Sequence, residues 1–357
     1  MKKFFFLFIV ALLVIGTVYS QENLFLRDEF GNPDINGFWN FNDATPFERP
    51  KRFGTREFLS SIELEEKIKN TLGAEKARER READLSDRVI ATPTSNPGAY
   101  NDFWSDYEDG FLNTRTSIIV FPEDGRIPAI REGVSTQLSP PHANGCNTNN
   151  VVSVLRPVRI SFGALSCDRP EDFSLASRCL FFPQTTGPYI KANSYNNNIQ
   201  IVVTNDYVVL YSELGNDPRI IPFGARPGPH NEIDTWTGNS TARWDDDVLV
   251  IETKNFSDKL ASIFMRMIAI GSAEDMILTE KFTKKGEGAL VYEFVISDPG
   301  TFESKIHGIT HFSRLDGVIY EFACHEGNYA FANILRAARL RELEQNINSG
   351  SSKKADI

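Results

Sequence analysis

The chain has 357 residues, with 48 acidic and 38 basic side chains and a formal net charge of −10. Such an acidic surface repels phosphate backbones and anionic lipid headgroups, so nucleic acid is excluded as the main partner. No later apolar run approaches the ~20 residues of a membrane-spanning helix, and no membrane insertion of the mature chain is predicted. A chain of this length buries a large core without help from a metal, and we predict neither a metal nor a cofactor.

Residues 1–20 have the pattern of a cleaved secretory signal peptide. Lys2 and Lys3 precede an apolar run from Phe4 to Val18, and the residues just before Gln21 suit a signal peptidase. We therefore expect a secreted or periplasmic protein. Because the two lysines are the only charged residues removed, the mature chain has a net charge of −12.

Residues 21–112 are predicted to form an extended N-terminal segment and a helix that wrap the core. Up to about Pro50, aromatic residues are scattered among Gly, Asn, Asp and Pro, which is typical of extended chain laid over the outside of a core. Ser60 and Glu63 match a capping box at the start of the helix. The ring-rich stretch Tyr100–Trp104 suits a loop that packs through its rings or lines a pocket mouth.

Residues 113–345 are predicted to form a β-rich core domain with a C-terminal helix from Asn328 to Leu343, followed by a disordered tail over 346–357. Successive hairpins of similar length predict an up-and-down antiparallel sheet, closed into a lipocalin-like barrel or folded into a sandwich. The fold class is therefore mainly β, with one N-terminal and one C-terminal helix. The predicted strands are Ser117–Phe121, Arg126–Ile130, Asn198–Val203, Tyr207–Glu213, Ala242–Trp244, Val248–Thr253, Ile277–Thr283, Ala289–Ser297, Ile306–Arg314 and Val318–Ala323.

Four cysteines lie in the mature chain, and an oxidising compartment predicts that they form two disulfides. Four cysteines permit three pairings, which the sequence alone does not distinguish. We favour Cys146–Cys167, which closes a local loop, together with Cys179–Cys324, which joins the middle of the chain to the start of its last helix. The alternative is that the cysteines bind a metal. No C-x-x-C pair is present in the sequence, which disfavours a metal site.

His325 and Glu326 are the candidate catalytic residues, because a predicted strand ends there and Gly327 turns the chain into the last helix. Histidine titrates near neutral pH, and a neighbouring carboxylate orients it or raises its pKa, as general acid–base chemistry requires. Adjacent residues on a strand point to opposite faces, however, so a structural hydrogen-bonding role for His325 stays open.

A second set of polar residues is suited to ligand binding. Amide and guanidinium groups bind the hydroxyl and carboxylate groups of sugars and organic acids. The alternative is that the asparagines cap a strand and the arginines pair with surface acids. The candidate ligand-binding residues are Arg178, Tyr195, Asn197, Arg219, His230 and Tyr329.

Several stretches of this sequence resemble a large family of secreted bacterial proteins that has no established activity. The resemblance extends from about Pro33 to Arg339, implies homology and the Cys179–Cys324 disulfide, and leaves function open. Cys146 and Cys167 are not part of the family pattern, so their bridge would be a local addition. The segments that carry the resemblance are Tyr100–Trp104 (YNDFW), Arg115–Val120 (RTSIIV), Asp124–Pro128 (DGRIP), Arg178–Leu180 (RCL), Tyr195–Asn198 (YNNN), Arg219–Pro222 (RIIP), Arg243–Trp244 (RW), Glu252–Phe256 (ETKNF) and Cys324–Tyr329 (CHEGNY).

Two functions remain open at this point. One is a secreted enzyme that binds and transforms a small organic or carbohydrate ligand in a polar pocket near His325. The other is a non-catalytic, lipocalin-like binding protein, or a structural envelope protein. The common hydrolase, metalloprotease and nucleotide-binding motifs are missing from the sequence and give these classes no support.

Overall fold

The computed structural model describes residues 26–70, 113–138, 158–161, 163–183, 185, 187–193, 195–215, 217–224, 233–265 and 268–352. The predicted signal peptide, the Tyr100–Trp104 loop, Cys146, His230 and the last five residues of the tail lie outside these ranges.

The described residues form thirteen β-strands and two α-helices. Helix α1 occupies residues 61–70 of the described chain, and α2 runs from Tyr329 to Ser352. The strands are β1 Gly37–Asn40, β2 Ile119–Phe121, β3 Thr136–Leu138, β4 Asn198–Val203, β5 Tyr207–Ser212, β6 Arg219–Pro222, β7 Asn239–Asp245, β8 Val248–Lys254, β9 Ile263–Met265, β10 Ile268–Ile270, β11 Ile277–Lys285, β12 Ala289–Ser297 and β13 Ile306–Arg314.

Nine strands form one antiparallel sheet in the order β6-β5-β4-β1-β13-β12-β11-β8-β7, and β2 pairs with β13 beside it. The two end strands approach each other, because Gly224 N donates to the Ala242 carbonyl at 3.1 Å and Phe223 forms a parallel bridge to Ala242. The sheet is therefore nearly closed into a barrel, which confirms the predicted fold class. A separate three-stranded sheet has the order β3-β10-β9.

Alternation along the strands explains how the barrel is filled. In β12, Leu290, Tyr292, Phe294 and Ile296 are fully buried and point inward, while the residues between them point outward. The Tyr292 and Phe312 rings stack with their centroids 5.2 Å apart, and Phe294 lies 6.0 Å from Tyr292. Aromatic side chains therefore fill the barrel interior around Tyr292.

One glycine is required by this packing. Gly308 of β13 pairs in register with Phe294 of β12, and a Cβ atom at residue 308 would lie 2.2 Å from the Phe294 ring. The ring occupies the space that any larger residue at 308 would need.

The sheet differs from the sequence prediction at β13. Val318–Ala323 was predicted as its hairpin partner and is not a strand. One edge of β13 is occupied by β12, and the other edge pairs with β1 at Ser313 and Arg314 and with β2 at His307 and Gly308. No edge of β13 is left for a further strand.

The N-terminal segment differs in a related way, because residues 37–40 lie within the sheet rather than outside the core. Trp39 of β1 is fully buried, and its Nε1 donates to the Ile35 carbonyl at 3.0 Å. Burial of so large a ring provides the driving force for placing this short strand between β4 and β13. Arg126–Ile130, also predicted as a strand, forms only an isolated bridge from Ile130 to Phe302.

The two helices begin where they were predicted. At α1, Glu63 N donates to Ser60 Oγ at 3.3 Å and Ser60 N donates to the Glu63 carboxylate at 2.8 Å, which completes the capping box. Helix α2 continues past its predicted end at Leu343 to Ser352. Among the described residues, no helix combines the length and the apolar character that crossing a bilayer requires.

Candidate functional site

The Cys179–Cys324 disulfide joins the middle of the chain to the turn before α2, with a Cα–Cα distance of 5.7 Å. Asn328 Nδ2 donates to the Ser177 carbonyl at 3.0 Å and adds a second link across the same corner. The predicted pairing of these two cysteines is confirmed. Cys167 is disulfide-bonded as well, and its predicted partner Cys146 lies outside the described ranges.

The candidate catalytic residues lie at this corner, in a turn rather than on a strand. His325 and Glu326 are both exposed, and Tyr329 at the start of α2 is 78% exposed. Tyr195 is brought close, because it packs on the same small apolar cluster as Cys324, and Arg178 precedes Cys179 in the chain. The corner therefore presents an open polar surface.

Arg219 does not contribute to this surface, because its side chain is buried inside the barrel. The side chain is only 7% exposed, and its guanidinium binds both carboxylate oxygens of Glu280, at 2.6 and 3.1 Å. It also donates to Thr253 Oγ1 at 3.2 Å, and the Tyr292 hydroxyl donates to Glu280 at 2.8 Å. These contacts make a buried polar network that ties β6 to β11 and β12.

The network has clear electrostatic consequences. Burial acts to lower the pKa of Arg219, but the charge and hydrogen bonds of Glu280 outweigh it, so the pKa of the guanidinium is raised. Burial raises the pKa of Tyr292, and the Glu280 carboxylate raises it further. Arg219 is thus charged and Tyr292 is a neutral donor at any physiological pH. A cavity of about 140 Å³ lies at the seam between β6 and β7, and Arg219 lines it.

Asn197 has a structural role. Its side chain is fully buried, accepts a hydrogen bond from Asn193 N at 2.6 Å and donates to the Asn193 carbonyl at 2.9 Å. This amide closes the loop that leads into β4. The predicted ligand-binding residues that the structure describes are therefore divided between the corner, the barrel interior and this loop.

A larger cavity, which we call the α1 groove, lies beside the first helix. Its volume is about 510 Å³, within the range of small-molecule sites. The lining combines apolar side chains with both signs of charge. The residues that line it are Ala44, Pro46, Arg52, Phe53, Leu59, Glu63, Glu66, Lys67, Asn70, Arg115 and Thr116.

Most charged groups of the α1 groove are held in place by their neighbours. Arg56 donates to Glu63 at 2.7 Å, and this hydrogen bond, with those from Ser60, lowers the pKa of Glu63 to about 2. Arg115 forms an ion pair with Glu57, and Lys67 Nζ donates to the Asn113 carbonyl at 3.1 Å.

Arg52 is held by an aromatic ring instead. Its guanidinium carbon lies 4.6 Å from the centre of the Phe53 ring, and no described residue forms an ion pair with it. Stacking on a ring restrains the guanidinium while leaving its planar set of N–H donors available to a carboxylate or another anion.

Sequence reasoning missed Glu280 and the α1 groove. For Glu280 a signal existed, because the residue shares the inward face of β11 with Leu278 and Phe282, and an acid between two apolar residues at a spacing of two indicates a buried charge. For Arg52 and Phe53 no local pattern marks the site, since the groove walls come from separate parts of the chain.

The fold and its sites thus define a nearly closed antiparallel barrel with a disulfide-tied corner and a charged groove beside α1. No family model, no curated protein and no solved structure matches the chain. Function is therefore inferred from the chemistry of these sites.

Proposed function

We propose that the protein is exported through a signal peptide at residues 1–20 and binds a small organic anion in the α1 groove, outside the cytoplasm. The ligand has a flat apolar body and a carboxylate or a similar acidic group. The same proposal includes that the protein belongs to the family of secreted bacterial proteins that its sequence resembles.

The observation that carries the proposal is the position of Arg52 on Phe53 in a cavity of about 510 Å³. Phe53 is buried and gives the groove a rigid apolar wall, and Leu59 and Pro46 extend the apolar part of the lining. A guanidinium restrained in this way binds an anion with little further loss of conformational entropy.

The charges of the groove favour an anion over a cation. Three cationic side chains line it, against two acidic ones, in a protein whose net charge is −10. Glu63 and Arg115 each form an ion pair with a residue outside the lining, Arg56 and Glu57 respectively. This leaves Arg52 and Lys67 against Glu66, so the balance stays positive. A locally positive groove in an acidic protein selects ligands by charge.

A small organic ligand was also expected from the sequence, but the proposed site is the α1 groove instead of a pocket near His325. His325 and Glu326 line neither of the two cavities described above. An exposed histidine at an open turn lacks the water-excluding walls that acid–base catalysis on a bound substrate uses. We therefore propose a binding protein rather than an enzyme.

The test is fluorescence titration with 1-anilinonaphthalene-8-sulfonate, an aromatic anion. We expect saturable binding that Arg52→Ala weakens roughly tenfold, because a charge-assisted hydrogen bond is lost. Arg243→Ala is the matched control, since Arg243 is an exposed arginine on β7 and does not line the groove. Ala44→Trp should also weaken binding, by filling the groove.

Competition defines the ligand class more sharply. Benzoate should displace the probe, and benzyl alcohol at the same concentration should not, because it lacks the carboxylate. Equal displacement by both compounds would contradict anion recognition. Unchanged probe affinity in both Arg52→Ala and Ala44→Trp would remove the α1 groove as the site.

A further inference from the structure

The second half of α2 is largely exposed to solvent. The first half packs through Phe331, Leu335 and Ala338 against Cys167 and Phe173, with the Phe173 and Phe331 rings 4.9 Å apart. Arg339, next to Ala338 in the chain, donates to the Asp168 carbonyl at 2.8 Å. Residues 343–348 are all exposed.

The exposed part of α2 carries an apolar stripe. Leu340, Leu343 and Ile347 are 55%, 58% and 69% exposed, and their spacing of three and four residues places them on one helix face. At 100° per residue this face lies roughly opposite the packed one. The stripe is therefore a second apolar face on a helix that the protein buries on one side only.

Intrinsic helix propensity does not account for the length of α2. The last turns have the sequence Asn346–Ser352 (NINSGSS), which is composed mainly of weak helix formers. Isolated helical turns of this kind are marginal in water and are usually stabilised by packing of an apolar face. A partner that covers the stripe would supply this kind of stabilisation.

We propose that a second copy of the chain covers it, through antiparallel pairing of two α2 helices. The observation that selects a second copy is the distribution of charge along the helix. Arg336 lies on the N-terminal side of the stripe and Glu344 lies toward its C-terminal end, and neither has an ion-pair partner among the described residues.

The relative direction follows from this distribution. If Leu340 of one copy faces Leu343 of the other, then Arg336 faces Ile347 of the second helix and lies within one turn of its Glu344. The two-fold axis repeats this ion pair. Parallel pairing would instead place Arg336 beside Arg336 and Glu344 beside Glu344, which like-charge repulsion disfavours.

Sedimentation velocity of the mature chain over a wide range of concentrations tests the pairing. We expect a monomer–dimer equilibrium, and Leu343→Glu should raise the dimer dissociation constant roughly tenfold or more, because it places a charge in the apolar contact. Gln345→Glu is the matched control, since it adds the same charge at an exposed residue on another face of α2, and it should leave the equilibrium unchanged.

Charge reversal tests the register without relying on the apolar residues. Arg336→Glu should weaken the dimer, and the double variant Arg336→Glu with Glu344→Arg should restore it, because each ion pair is rebuilt in reverse. A chain that stays monomeric at every concentration would overturn the proposal. So would a dimer that Leu343→Glu leaves intact, or a double variant no stronger than the single one.

Discussion

Arg219 and Glu280 form an ion pair inside the barrel, where neither charge has access to bulk water. The pair is tolerated because each partner has further hydrogen bonds, from Arg219 to Thr253 and from Tyr292 to Glu280. Its geometry fixes how β6 lies against β11, two strands that are not neighbours in the sheet. One pair of side chains thereby helps to set the closure of the barrel.

The first prediction concerns this pair. Glu280→Gln should lower the free energy of unfolding by about 3 to 5 kcal/mol, because it leaves the Arg219 charge buried without its counter-ion. Chemical denaturation measures the loss. The double variant Arg219→Met with Glu280→Leu should be more stable than the single one, since it removes both charges. A double variant as unstable as Glu280→Gln would contradict this account.

The second prediction concerns His311 on the outer face of β13. Burial lowers the pKa of His311, and the nearby Arg115 charge acts in the same direction while Asp43 opposes it. The unfolded chain therefore binds a proton more readily than the folded one. Stability from this group is present above the ordinary histidine pKa of about 6.5 and is lost as the pH falls below it.

The measurement is denaturant unfolding at pH 7.5 and pH 5. Replacement of His311 by Asn should reduce the loss of stability between these two values. His325→Asn is the control, because it removes an exposed histidine from the corner. An equal pH dependence in the wild type and the His311→Asn variant would show that His311 is not responsible.

At the scale of single elements, the capping box controls one wall of the α1 groove. Ser60→Ala removes the hydroxyl that accepts from Glu63 N and should destabilise the first turn of α1 by about 1 kcal/mol. Hydrogen exchange of the α1 amides measures the effect. Ser60→Asp keeps an acceptor at the cap and should preserve protection; faster exchange in both variants would contradict a capping role.

The elements that were predicted correctly from sequence are those defined by local signals. The hairpin of β11 and β12 alternates over nine residues in each strand and turns at Gly286, and α1 carries its capping box in four residues. Strand β1 has only four residues, which is too short for alternation to be visible. Its place in the sheet depends on partners more than 150 residues away.

The candidate sites follow the same rule. The Cys179–Cys324 disulfide could be named in advance only as the favoured pairing, because four cysteines limit the possible pairings to three without selecting one. The α1 groove was not predictable, because Arg52 and Arg115 meet there only through the fold. Arg219 was recognised as a polar residue of interest, but its buried setting depends on Glu280, which lies 61 residues further along the chain.

At the scale of the whole molecule, the Cys179–Cys324 disulfide closes a loop of 145 residues. In the chain-entropy model, loss of such a cross-link lowers the free energy of unfolding by about 4 to 5 kcal/mol. We expect the Cys179→Ala and Cys324→Ala double variant to show this loss in chemical denaturation. If the double variant has the same free energy of unfolding as the wild type, the disulfide adds no measurable stability to the corner that the Asn328–Ser177 hydrogen bond also links.

The position of β1 has a consequence for the order in which the barrel is assembled. Its two neighbours are β4 and β13, so the first strand among the described residues is completed by the last of them. During synthesis, residues 37–40 must wait until residue 314 has left the ribosome before both edges of β1 are paired. A chain that stops before residue 306 would leave β1 and β12 with open edges, and such edges promote aggregation. The barrel thus closes only after β13 has been synthesised.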